Sequence, residues 1–140
     1  MFRQILVPVD LDEPSSWSKA IPAARALADA FDARLTVMTV ITDRDATSEA
    51  AWSAINYGAL VDKTTTHLAN LADRELGKDK AAVRVGSGSI YGAILDAAAD
   101  IEADLIVMAS HRPAMRDFLI GANASRVARH ARCSVMIVRE

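Results

Sequence analysis

Two short stretches carry residue types that could hold a small anion. The first, Ala109-Ser110-His111-Arg112-Pro113, directly follows the apolar run Leu105-Ile106-Val107-Met108. The second, Gly121-Ala122-Asn123, opens a helical pattern with Ala124, Val127, Ala128 and Ala131 on one face. A donor-rich turn running into a helix offers unpaired backbone N–H groups and the positive end of the helix dipole, and both favour phosphate. Asp10 ends another apolar run. It is suited to accept from a ribose hydroxyl or an adenine amino group, or to hold Mg²⁺ through water, whereas Asp12 and Glu13 read better as solvated turn acids.

Other constellations carry less chemistry. Gly86-Ser87-Gly88-Ser89-Ile90-Tyr91-Gly92 is G-x-G-x-x-x-G, one residue longer than the dinucleotide fingerprint, and no acidic residue ends the following strand, so it reads as a tight turn and helix cap. A serine-hydrolase elbow does not occur. His67, His111 and His130 have no metal-ligand spacing, and the one cysteine, Cys133, sits beside an apolar strand and reads as an inert thiol. No catalytic residue and no metal ligand is assigned.

The elements that must position the two stretches follow from periodicity. Strands are expected at Gln4 to Val9, Leu35 to Ile41, Ala81 to Val85, Leu105 to Met108 and Val135 to Val138. A helix with Trp17, Ala20, Ile21, Ala24, Leu27, Ala28 and Phe31 inward follows the first strand. Ser15 or Ser16 could cap it, and Pro22 implies a late start or a bend. Thr42 to Tyr57 reads as a connection with a short helical turn, and a helix over Leu60 to Leu76 is stopped by Gly77. Ser89 is placed to cap a helix striped by Ile90, Ala93, Ile94, Ala97, Ala98 and Ile101.

This alternation predicts an α/β fold over residues 1–140: a single doubly wound, Rossmann-like domain with a five-stranded parallel sheet ordered 3-2-1-4-5 and helices on both faces. That order puts the topological switch between the first and fourth strands, with Pro8 to Asp12 and Ala109 to Arg112 facing the crevice. The last strand, Val135-Met136-Ile137-Val138, would be an apolar sheet edge, so a homodimer through it is expected.

Composition narrows the partners. The net charge of −2 argues against nucleic acid. From Ala109 onward, six arginines stand against Asp117 and Glu140, a net of +4, leaving −6 for residues 1–108. That gradient suits a small anionic ligand. No apolar run approaches the ~18 residues of a membrane span, no leader is evident, and one cysteine fits a cytoplasmic location.

Three segments resemble the universal stress protein family, and the likeness covers essentially the whole chain: Ile5 to Asp10 (ILVPVD), Ala103 to Pro113 (ADLIVMASHRP) and Leu119 to Arg139 (LIGANASRVARHARCSVMIVR). The ASHRP loop resembles an ATP-binding proteobacterial subgroup. The family's nucleotide-binding branch has glycine, two residues, glycine, nine residues, then glycine and serine. Here these positions are Ala109, Arg112, a spacer of eight, Gly121 and Ala122. The resemblance implies ATP, with or without Mg²⁺. Adenine and ribose would lie near Pro8, Val9, Asp10, Val40 and Met108, and the phosphates along Ala109, Ser110, Arg112, Gly121, Ala122 and Asn123. It implies a dimeric stress-response module whose nucleotide state biases an unidentified protein partner, with at most slow ATP hydrolysis or autophosphorylation. Ala109, Arg112 and Ala122 leave open a nucleotide-independent interaction protein of the same fold.

Overall fold

Five segments rich in apolar and β-branched residues form strands because helices cover one face or both. In the computed structural model, residues 1–46, 54–110 and 119–139 are described. The strands are β1 (Gln4–Pro8), β2 (Arg34–Ile41), β3 (Ala82–Ser87), β4 (Leu105–Ala109) and β5 (Ser134–Val138). The helices are α1 (Ala20–Phe31), a short α2 (Asp43–Ala46), α3 (Ala54–Leu76), α4 (Ile90–Asp100) and α5 (Leu119–His130). The sheet is parallel throughout and ordered β3-β2-β1-β4-β5, as the alternation predicts.

Side chains two apart along each strand share a face, and the faces have different covers. Ile5, Val7, Val9, Val37, Leu105 and Val107 pack with Ile21 and Ala24 of α1 and Leu68 and Leu71 of α3. Leu6, Met38, Ile106 and Met108 pack with Ala93, Ile94 and Ala97 of α4 and Ala124 and Val127 of α5. Central β4 is therefore apolar and buried at every position, as is β1 from Ile5 onward, while the β3 edge is only half-buried.

Local chemistry adjusts three expectations. Helix α1 starts late, at Ala20, which leaves Pro22 in its first turn, where a missing N–H costs little; residues 14–16 form a separate 3-10 turn, so neither Ser15 nor Ser16 caps α1. Phe31 is 38% exposed and packs edge-on against Phe2 instead of entering the core. Helix α3 is already helical at Ala54, earlier than its apolar stripe indicates, and ends at Leu76, followed by Gly77, whose φ of +101° suits the stop. Among the described residues no helix is long and apolar enough to cross a membrane.

The amino ends of β1 and β4 are joined by one carboxylate. Arg3 N–H donates to both oxygens of Asp104 at 3.0 and 2.8 Å, Gln4 N–H donates to Oδ1 at 3.1 Å, and Asp104 N–H returns a bond to Gln4 O at 3.0 Å. Charged acceptors make the stronger hydrogen bonds, but water reaches this end of the sheet. Asp104→Ala is therefore expected to cost about 1–2 kcal/mol. A lower urea midpoint at unchanged m-value would register it.

Candidate functional site

The crevice arises because β1 and β4 part company toward their carboxyl ends. Their pairing is recorded at Ile5–Leu105 and Leu6–Ile106. Beyond it each strand turns to its other neighbour: Val9 N–H donates to Met38 O of β2, and Ser110 N–H to Val138 O of β5, both at 2.8 Å. The expected switch point thus becomes a gap between two strand ends that are each held from outside.

On the β1 side, Asp10 shapes the turn. Its Oδ1 accepts from Asp12 N–H at 3.0 Å, a local bond that aspartate makes readily in turns. Its carbonyl accepts from Glu13 N–H at 3.0 Å. Ser16, 1% exposed, accepts from Asp10 N–H at 2.8 Å and donates its hydroxyl to Asp10 O at 3.1 Å. The serine that the sequence offers as a helix cap therefore clamps the Asp10 turn.

A cavity of about 400 Å³ opens against this turn. Leu11, Val40 and Ile41 supply apolar wall from the strand ends, and Leu60 supplies it from α3. Asp10, Asp12, Asp45, Thr64 and His67 supply polar groups. Asp45 is set by a reciprocal cap on α2: its Oδ2 accepts from Thr42 N–H and Oγ1–H at 3.0 and 2.9 Å, and its own N–H donates to Thr42 Oγ1 at 3.3 Å. Apolar walls with several carboxylates suit a flat heterocycle carrying amino or hydroxyl donors, and they repel phosphate.

The expected site residues separate into groups. Asp10 and Val40 meet in the cavity. Pro8, Val9, Met108 and Ala109 are buried under the strand ends, with Val9 and Ala109 in one core and Met108 in the other. Ser110 is half-buried at the end of β4, and Gly121, Ala122 and Asn123 lie in the opening turns of α5 with Ala122 exposed. Arg112 and His111 lie outside the described residues. Leu60, Thr64 and His67 were not foreseen. They share one face of α3 at i, i+4 and i+7, but apolar periodicity alone points to the neighbouring Leu68 and Leu71.

Asn123 is 7% exposed, and its Oδ1 accepts from Tyr91 N–H at 3.0 Å. It thereby occupies a donor at the start of α4. Ser89 is the N-cap residue there, yet its side chain makes no capping bond. The Gly86–Gly92 stretch consequently works as packing and turn. A Cβ on Gly86 would meet Ala93 Cβ at 3.1 Å, and Gly88 has φ +98°. Burial pushes the Cys133 thiol up, and the Asp104 charge adds to the rise against a backbone hydrogen bond, which keeps the thiol protonated at neutral pH.

The Universal stress protein family model matches residues 1–139. Universal stress protein G of Salmonella typhimurium is 28% identical over 148 residues, covering 99% of this chain and all of that protein. Among solved structures, a universal stress protein in complex with cAMP superposes with a TM-score of 0.64 at 22% identity, covering 99% of this chain and 97% of that one. A universal stress protein family protein from Arabidopsis thaliana with AMP bound gives 0.61 at 15% identity, covering 99% and 92%.

Ser16→Ala removes both bonds to the Asp10 backbone from a site that water does not reach. It should lower stability by about 1–3 kcal/mol and speed amide exchange locally at residues 10–13. Exchange rates unchanged at those four residues would count against the clamp.

Proposed function

The chain belongs to the universal stress protein family, and on that footing we propose that it is a cytoplasmic stress-response protein that binds ATP, acts as a homodimer and presents a different surface to a protein partner according to its nucleotide state. The observation that carries this reading is the cavity at the carboxyl ends of β1 and β2, where Asp10 and Val40 stand together. Adenine and ribose fit there because carboxylates accept from amino and hydroxyl groups. The phosphates are directed away from Asp10, Asp12 and Asp45 toward Ser110, Arg112 and the start of α5, in the arginine-rich part of the chain. Relatives of the same fold that hold cAMP and AMP support an adenine ligand. Mg²⁺ accompanies ATP as a companion of the phosphates, and any hydrolysis or autophosphorylation is slow, well under the ~1–10³ s⁻¹ of ordinary enzymes.

Calorimetric titration with ATP tests the ligand. Saturable binding below millimolar is expected, and Asp10→Ala should weaken it by about tenfold, the worth of one or two hydrogen bonds to a charged acceptor. A second reading, a nucleotide-independent interaction protein, is favoured by Ala122, which is exposed and carries a methyl group where the family pattern has a serine hydroxyl. Absence of saturable binding up to millimolar ATP would select it.

The homodimer is proposed through β5. This strand is the sheet's outer edge beyond β4, and Met136 on it is 37% exposed. Edge pairing with a second copy satisfies the backbone and covers Met136. Met136→Lys puts like charges at a twofold seam while leaving the monomer core intact. In sedimentation, wild type should run as a dimer and the variant as a monomer; a monomeric wild type would refute the seam.

A further inference from the structure

Tyr91, the second residue of α4, is gripped by α5 at both ends. Its backbone N–H donates to Asn123 Oδ1 at 3.0 Å. Its ring lies 5.4 Å from the guanidinium carbon of Arg126 and tilts against the His130 ring with centroids 6.3 Å apart. Asn123, Arg126 and His130 are spaced i, i+3 and i+7, so one stripe of α5 makes all three contacts. The stripe begins one residue after Gly121 and Ala122, the positions whose backbone would meet phosphate under the reading proposed above.

We infer that Asn123 is a positioning residue of the nucleotide site: it ties the opening of α5 to the start of α4, so that the α5 backbone stays aimed at the crevice, and it is not itself a phosphate ligand. The inference rests on the nucleotide-binding reading. A phosphate, whose oxygens only accept, would have to be met by the Nδ2–H donors of this carboxamide, while its oxygen is committed to a backbone donor on α4. Asn123 is buried while its neighbour Ala122 is exposed, as expected of adjacent residues about 100° apart on a helix. Ser89, the residue that local sequence offers as a cap for α4, makes no such bond. The polar tie at the start of α4 therefore comes from a side chain of α5, on top of the apolar packing of Ala93 and Ile94 with Ala124 and Val127, and its loss loosens the start of α4 and the first turns of α5 together.

The test combines ATP and adenosine titration of wild type, Asn123→Ala and Tyr91→Pro with amide exchange at Tyr91. For Asn123→Ala, about tenfold faster Tyr91 exchange and about tenfold weaker ATP binding are expected, with adenosine within about twofold of wild type. Tyr91→Pro, in the first turn of α4 where proline is tolerated, removes the donor and leaves the Asn123 carboxamide in place. It should weaken ATP about tenfold and leave adenosine within about twofold of wild type. Equal loss of ATP and adenosine in the alanine variant would reduce Asn123 to a general structural role and overturn the inference. A proline variant that binds ATP as wild type does would make Asn123 a direct phosphate contact, again overturning it, and this arm decides even if the alanine variant does not fold. Wild type that binds neither ligand would refute the nucleotide reading and the inference with it, whereas tight binding untouched by either substitution would refute the inference alone.

Discussion

The parting of β1 and β4 is the constraint on which the rest of the molecule depends. At their amino ends the two strands are locked by paired residues and by the Asp104 carboxylate. At their carboxyl ends each is drawn outward, β1 by Met38 of β2 and β4 by Val138 of β5. A parallel sheet that winds in both directions from its middle must have such a point, because the chain leaves β1 toward one side and β4 toward the other. Core packing on both faces holds the strands too firmly for the gap to close. The crevice is thus a consequence of topology, and the side chains around it only determine what it holds.

Those side chains are acidic on one flank. Asp10, Asp12 and Asp45 gather around the cavity at the ends of β1 and β2. The arginines of α5 and the turn after it do not face them: α5 runs back along the sheet, Arg126 lies on the Tyr91 ring, and Arg132 lies with Ala103 and Cys133 at the amino ends of β4 and β5. A ligand with a donor-rich end and an anionic end is therefore oriented by the carboxylates, because setting phosphate among them costs, at surface dielectric, on the order of 1–4 kcal/mol per close charge pair.

Polar side chains in this fold repeatedly serve a partner outside their own helix or turn. Ser16 closes the turn at Asp10, Asp104 holds the start of β1, Trp17 Nε1–H donates to Glu75 of α3, and Asn123 serves α4. Each would read locally as a cap, a loop acid, a core aromatic or a ligand. In the folded chain these bonds connect elements that apolar packing brings near but does not align. Hydrophobic contact is non-directional, so alignment falls to groups whose bonds have geometry.

The order of elements, the 3-2-1-4-5 sheet and the family were legible in the chain itself, because burial on both faces writes continuous apolar runs into β1 and β4, and helical stripes into α1, α4 and α5. Asp10 was legible as well, since a switch point follows from strand order alone. The long-range bonds were not. Nothing in Pro14-Ser15-Ser16 distinguishes a helix cap from a clamp on Asp10. Leu60, Thr64 and His67 become a wall only once α3 lies beside the end of β2, and Asn123 can be assigned to Tyr91 only once α4 and α5 share a face of the sheet. Periodicity records which side of an element is buried. Which polar group meets which depends on distances between elements, and only the tertiary structure determines those.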